Sequence, residues 1–193
     1  MSGWSRHTGL AAPLPLENVD TDQLIPARFM STPRSEGYGR FLLHDLRATP
    51  GFPLDAPEAQ GASILVTGRN FGGGSSREAA VYALLDAGFR AVIAPSFGDI
   101  FAANAVNNGL LPARAETSGL IPRLPARLAI DLEAQTITGE GTGAAPLHFD
   151  IDPVWKTKLL NGWDDIDLTA AHRAEIDAFA ARRRAAAPWV WPA

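Results

Sequence analysis

The most regular run of hydrophobic and polar positions lies in the middle of the chain. Ala62-Ser63-Ile64-Leu65-Val66-Thr67 is a short run, apolar at its centre, that ends at Gly68, the pattern of a strand buried on both faces. A polar, glycine-rich loop follows, Arg69-Asn70-Phe71-Gly72-Gly73-Gly74-Ser75-Ser76. From Arg77 to Ala87 the apolar positions Val81, Leu84 and Leu85 share one helical face, and Gly88 supplies the stop. Phe89 to Ala94 reads as the next buried strand, Ile100 to Asn107 as a short helix stopped by Gly109, and Leu110-Leu111 as the start of another strand. Strand, glycine loop, helix and strand in about thirty residues make a βαβ unit, for which a parallel pair and a right-handed crossover are expected. The loop then sits at the carboxyl end of its strand, where open α/β sheets place their ligands.

The flanks are less regular. Before residue 40 the apolar clusters are short, Leu24-Ile25 and Phe29-Met30, and Pro, Asp, Asn, Thr and Gly separate them, which predicts short strands and loops. Arg47 to Gln60 carries three prolines and few large apolar residues and reads as a surface connection. Towards the C-terminus, Leu128 to Leu132 and Thr136 to Thr138 flank Glu133-Ala134-Gln135 as a hairpin, and Leu147 to Ile151 is a further strand. Asp152-Pro153 offers a cap and a proline at the first helical position. A last helix is predicted from Thr169 to Arg184, with Ile176 and Phe179 facing inward and Arg182-Arg183-Arg184 suiting the C-terminal end of the dipole. Residues 185–193 form a tail whose Trp189 and Trp191 point to docking on a partner or on the domain's own surface.

Length and composition narrow the classes. A chain of 193 residues is expected to fold as one domain, spanning 1–193, with roughly 9,000 Å² of surface. Net charge is −4, and no basic stripe with interleaved aromatics occurs, which argues against a nucleic-acid partner. The absence of cysteine excludes disulfides, thiolate nucleophiles, cysteine zinc sites and any iron–sulfur cluster ligated by this chain itself. His7, His44, His148 and His172 are scattered without ligand spacing, so no metal site made by this chain is expected. The N-terminus has no apolar segment of signal-peptide length and no run of 18 apolar residues occurs, which reads as a cytoplasmic protein without a membrane partner.

Candidate chemistry concentrates in Asn70 to Glu78. Three glycines let backbone approach a ligand, and the following helix presents free N–H groups and a positive dipole end to an anion. Generic motifs fail here. A dinucleotide fingerprint needs glycine where Arg77 stands, a Walker loop needs a lysine, and a nucleophile elbow needs glycine two residues after Ser75. Ser75-Ser76-Arg77-Glu78 also fits a capping box, so Ser75 as helix cap and Ser75 as a reactive hydroxyl beside a cation both stand. Asn18-Val19-Asp20-Thr21-Asp22 pairs two carboxylates that could orient a base or meet a hard cation, although turn formation explains them as well.

Three blocks in order, Asn18 to Asp22 with Ile25-Pro26, Asn70 to Glu78, and Gly88 to Phe97 with Asp99-Ile100-Phe101, resemble the small-subunit family of 3-isopropylmalate dehydratase. The likeness continues through Asn107-Asn108-Gly109-Leu110-Leu111-Pro112, Asp131 to Thr136, and Leu160-Asn161-Gly162 with Asp164-Asp165-Ile166, covering nearly the whole chain. The resemblance implies an α/β fold, the aconitase-type swivel domain with three β/β/α layers around a βαβ core. It implies a large-subunit partner that holds a [4Fe-4S] cluster, and a dehydration and rehydration of a 2-hydroxy acid in leucine biosynthesis. It also implies that Ser75 is the base, Arg77 a carboxylate ligand and Asp22 an active-site carboxylate. Ser76 and Gly74 would contribute hydrogen bonds, with Met30 and Arg34 in a segment that senses the variable side group. The family commonly has cysteine at Gly73, and histidine followed by Ala-Pro-Trp where this chain reads Ala79-Ala80-Val81-Tyr82. These departures keep two alternatives open: a hydratase for citraconate, 2-methylmalate or homoaconitate, and a non-catalytic swivel module.

Overall fold

The computed structural model of the chain describes residues 2–139 and 145–191. Its strands are β1 (Arg6–Leu14), β2 (Ile64–Thr67), β3 (Ala91–Ala94), β4 (Leu111–Arg114), β5 (Ala126–Asp131), β6 (Thr136–Gly139) and β7 (Leu147–His148). They form one sheet in the order β4-β3-β2-β1-β5-β6-β7. β1 to β4 are parallel, with Ala12 opposite Leu65, Leu65 opposite Val92, and Val92 opposite Pro112. On the other side of β1 the sheet continues antiparallel through β5, β6 and β7. The helices are α1 (Thr21–Leu24), α2 (Glu78–Asp86), α3 (Asp99–Asn107), α4 (Pro153–Asn161), α5 (Asp165–Ala170) and α6 (Arg173–Ala186).

Because β1 to β4 step across the sheet in one direction, right-handed crossovers carry every connection over the same face. On that face Ala12, Leu14, Leu65, Val92 and Ala94 pack against Ala80 and Leu84 of α2, Phe101 and Ala105 of α3, and Leu24, Leu42 and Leu43. The alternate strand positions Ala11, Ile64, Val66, Ala91 and Ile93 point the other way and meet Leu128, Ile130 and Ile137 of the antiparallel half, with Phe149 and Leu159. A core shared by both halves of one sheet requires that sheet to curl, and this produces the expected β/β/α layers.

Four details depart from the sequence pattern. The first forty residues hold a nine-residue central strand, β1, which small and helix-neutral residues conceal. Gly9 stands there because a Cβ would lie 2.0 Å from the Ser63 hydroxyl, which hydrogen-bonds His7 Nε2 at 2.8 Å. The connection from Arg47 to Gln60 is pinned inward, since Phe52, Leu54 and Ala59 belong to the helix-side core. The expected strand to Ile151 stops at His148, and Asp150 only bridges Arg114. The last helix is two: α5, capped by Asp164 with Asp167, and α6, none of whose residues is buried. Ile176 and Phe179 are 42% and 61% exposed. An amphipathic pattern marks an apolar face, and here no described part of the chain covers it.

The predicted Asp152 cap is present, accepting from the N–H of Val154 at 2.8 Å ahead of Pro153. Lys158 of α4, 3% exposed, donates to Asp165 at 2.6 Å and to Asn107, so one buried ammonium ties the start of α5 to α3 and α4. In the tail the Arg184 guanidinium lies 4.6 Å from the Trp191 ring centre, while Trp189 is exposed; Pro192 and Ala193 lie outside the described residues. The total surface, 10114 Å², is somewhat above the roughly 9,000 Å² expected for this size.

Leu65→Ala, in the centre of β2, should cost about 2–5 kcal/mol, whereas Phe179→Ser should change stability by no more than about 0.5 kcal/mol. Urea unfolding of the two variants measures both. A multi-kcal loss at Phe179 would place α6 against the body.

Candidate functional site

Adjacent parallel strands deliver their exit segments side by side. The segment leaving β1 and the loop leaving β2 each turn at an asparagine in the left-handed region, Asn18 at φ 56° and Asn70 at φ 57°, which asparagine tolerates better than most residues. The Asn70 side-chain amide donates to the Asn18 side-chain carbonyl at 2.9 Å. The backbones then pair: Gly72 N–H donates to Val19 O at 2.7 Å, and Thr21 N–H to Gly73 O at 3.0 Å. The exit of β3 closes the arrangement from the other side. Asn70 N–H donates to the Ser96 hydroxyl at 2.8 Å, Phe71 N–H to Ser96 O at 3.1 Å, and Gly98 N–H to Phe71 O at 2.9 Å. Beneath the loop, buried Phe71 meets Phe97 and Phe101 edge-on.

Glycine is required at two points of this loop. Gly72, at φ 74°, would carry a Cβ 2.2 Å from the Phe101 ring, and Gly74 turns the chain at φ 86° beside Asp20 and Thr21. After that turn Ser75 and Ser76 are exposed and Arg77 is half-buried. Arg77 Nη1 donates to Asp22 Oδ1, so residues 55 positions apart form an ion pair across the two loops. Arg77 is also the cap position of α2, and no side chain caps that helix. The Ala80 N–H closes on Arg77 O at 3.1 Å, and the positive dipole end of α2 lies two to three residues after Ser75 in the chain.

The capping-box alternative for Ser75 does not hold. Glu78 is turned away, accepting from Asn108 Nδ2 at 2.7 Å; burial first and this carboxylate next push the Tyr82 phenol upward in pKa. The box sits instead at α1, where Asp20 Oδ1 accepts from Gln23 N–H at 2.8 Å and Gln23 Oε1 accepts from Asp20 N–H at 2.9 Å. Asp20 is thus occupied as a cap, and Asp22 is the carboxylate of the pair that faces the loop. Its signal was the D-x-x-Q spacing of Asp20 and Gln23.

Ser75, Ser76, Arg77, Gly74 and Asp22 come together at one edge, but Arg34 and Met30 do not join them. Arg34 makes a two-pronged contact with Asp86, at 2.7 and 2.9 Å, and its guanidinium lies 4.5 Å from the Tyr82 ring centre. Asp86 ends α2, about 12 Å along the helix from its start. Asp86 also accepts from Tyr38 N–H at 2.6 Å, which fastens the whole 34–38 segment there. Met30 is 42% exposed on the turn before it.

Comparison with known proteins decides the family. A family model described as the aconitase C-terminal domain matches residues 1–118, and one described as LeuD_N matches 125–153. A third, for the C-terminal domain of the 3-isopropylmalate dehydratase small subunit, matches 165–193. The 3-isopropylmalate dehydratase small subunit of Dinoroseobacter shibae is 45% identical over 98% of this chain and all of its own length. The chain belongs to the 3-isopropylmalate dehydratase small-subunit family. The same-named protein of Bacillus licheniformis is 45% identical over 92% of this chain and 94% of its own. The crystal structure of 3-isopropylmalate dehydratase from Methanocaldococcus jannaschii superposes with a TM-score of 0.70 at 27% identity, covering 90% of this chain and 98% of that one. The first match spans the entire site, including Asp22, Ser75 and Arg77.

The family likeness also gives Gly73 a meaning. A Cβ there would meet only the Asn70 side chain, at 3.4 Å from Oδ1, so the loop accommodates a side chain at that position. At Gly98 a Cβ would lie 2.6 Å from the Gly72 carbonyl, and the loop must move. Gly73→Ala should therefore leave the melting temperature within about 2 °C, while Gly98→Ala should cost about 1–3 kcal/mol. Calorimetry of both variants checks this; equal effects would contradict the loop geometry.

Proposed function

We propose that this chain is the small subunit that, with a large subunit, interconverts 2-isopropylmalate and 3-isopropylmalate in leucine biosynthesis by dehydration and rehydration. Full-length 45% identity to a 3-isopropylmalate dehydratase small subunit carries the reading, and the convergence of Ser75, Arg77 and Asp22 supports it. The chain has no cysteine, and among the described residues no three His, Cys, Asp or Glu side chains gather. Its own residues therefore do not fit a [4Fe-4S] cluster, which this reading assigns to the large subunit. There it would supply a Lewis acid for the departing hydroxyl.

This chain's part is the proton at carbon and the grip on the acid. Ser75 as alkoxide takes the carbon-bound proton as the double bond forms, and returns it during rehydration with the opposite regiochemistry. A serine needs a strongly positive field for that role, and Arg77 with the uncapped start of α2 provides one. Arg77 presents a planar fork suited to a substrate carboxylate, and Asp22 fixes its direction. Ser76 and the Gly74 backbone add donors at the same edge. The exposed face of α6 fits a chain that works beside a partner. No helix among the described residues is long and apolar enough to cross a membrane.

The test is a hydratase assay of the chain co-purified anaerobically with its large subunit, on isopropylmalate, citraconate, 2-methylmalate and homoaconitate. Isopropylmalate should be preferred, with turnover only in the mixture. Preference for another acid would replace the substrate, and failure to associate would leave a non-catalytic module. In the active pair Ser75→Ala should nearly abolish turnover while shifting stability by no more than about 0.5 kcal/mol, because its side chain caps nothing. Arg77→Lys should raise KM about tenfold, the worth of one lost charge-assisted hydrogen bond. Unchanged kinetics in either variant would remove that residue from the site.

A further inference from the structure

We infer that Thr21 is a positioning residue that aims Ser75; this rests on the reading of Ser75 as the base. Ser75 is exposed, and among the described residues no hydrogen bond claims its hydroxyl. The direction of its Cα–Cβ bond is therefore set by backbone alone. That backbone follows Gly74, whose φ of 86° is a conformation glycine visits among many others. Something must choose the one used.

Thr21 makes that choice from the neighbouring loop. Its side chain is 1% exposed, and its hydroxyl donates to the Ser75 carbonyl at 2.9 Å. The same carbonyl accepts from Arg77 N–H at 2.9 Å. Two donors on one oxygen fix the plane of the peptide between Ser75 and Ser76. Thr21 is itself immobilised: its N–H donates to Gly73 O at 3.0 Å, its carbonyl accepts from Ile25 N–H at 3.0 Å, and the Asp20–Gln23 box locks the turn around it. Packing holds its methyl group and the hydroxyl holds the serine. Neither Asp22 nor Arg77 reaches the Ser75 backbone with a side chain, so the hydroxyl of Thr21 does what the ion pair beside it does not.

A displaced base loses rate more than substrate affinity, because carboxylate binding by Arg77 is separate from proton transfer at Ser75. The experiment compares Thr21→Val, Thr21→Ser, Thr117→Val and Ser75→Ala in the assembled two-subunit enzyme. Thr117 is the matched control: it is 2% exposed, its hydroxyl donates to Thr67 O at 2.8 Å, and it has no part in the site. Thr21→Val should lower kcat about 10- to 100-fold with KM within about twofold, and Thr21→Ser should restore kcat to within about threefold. Thr117→Val should lower the melting temperature comparably and leave kcat within about twofold.

Full kcat in Thr21→Val, an equal kcat loss in Thr117→Val, or no rescue by Thr21→Ser overturns the inference. So does a Thr21→Val chain that fails to fold beside a folded Thr117→Val, since the hydroxyl then serves folding. Ser75→Ala separates the two readings. If it stays active, the base assignment fails whatever Thr21 does; if it is inactive and Thr21→Val is not, only the positioning role fails.

Discussion

The structure depends on the lacing of two loops that leave adjacent parallel strands. Gly72 N–H to Val19 O and Thr21 N–H to Gly73 O extend the pairing of β1 and β2 beyond the sheet itself, which delivers residues 18–22 to residues 70–77. Without it the Asp22–Arg77 pair would have to hold the loops alone, and an ion pair with a half-exposed carboxylate contributes about 0–1 kcal/mol. Backbone pairing does the joining, and the charged side chains are not needed for it. The buried Phe71, Phe97 and Phe101 cluster supports the loop from below, so a polar, glycine-rich segment stands on a rigid aromatic floor.

One edge of the molecule carries a serine, an arginine, an uncapped helix start and a carboxylate, and the C-terminal end of the chain is an arm that the body does not cover. The candidate site opens outward, with Ser75 and Ser76 exposed. The arm is joined to the body through Lys158, whose buried ammonium reaches Asp165 and Asn107. Beyond that anchor α6 exposes Ile176 and Phe179.

The parallel half of the fold was legible because buried strands such as Ile64 to Thr67 and Ala91 to Ala94 are short, almost wholly apolar runs closed by the turn formers Gly68 and Pro95. The central strand was not, because β1 is built from residues chosen for space: Gly9 admits the Ser63 hydroxyl, and Ala11 and Ala12 lie between packed faces. Pro13 in its interior also argues against a strand on pattern. At the site, residue type and spacing pointed to Asn70–Glu78 and to the Asn18–Asp22 block, the family resemblance singled out Asp22, and the structure pairs Asp22 with Arg77. Spacing alone could not decide the Ser75–Glu78 box, since in the fold Glu78 accepts from Asn108 instead, while the same spacing is realised at Asp20–Gln23. Arg34, which the family resemblance placed in a segment that senses the variable side group, is paired with Asp86 in this chain. Periodicity identified the apolar face of α6 and gave no information about what it faces.

The central claim is that the laced loops place one proton-transferring hydroxyl beside one carboxylate-binding guanidinium. A structure of the assembled two-subunit enzyme with 3-isopropylmalate bound tests it most directly. The account predicts Ser75 Oγ about 3–3.5 Å from the carbon that carries the labile proton, with Arg77 paired to a substrate carboxylate. A substrate held by the partner with Ser75 facing away from that carbon would contradict it.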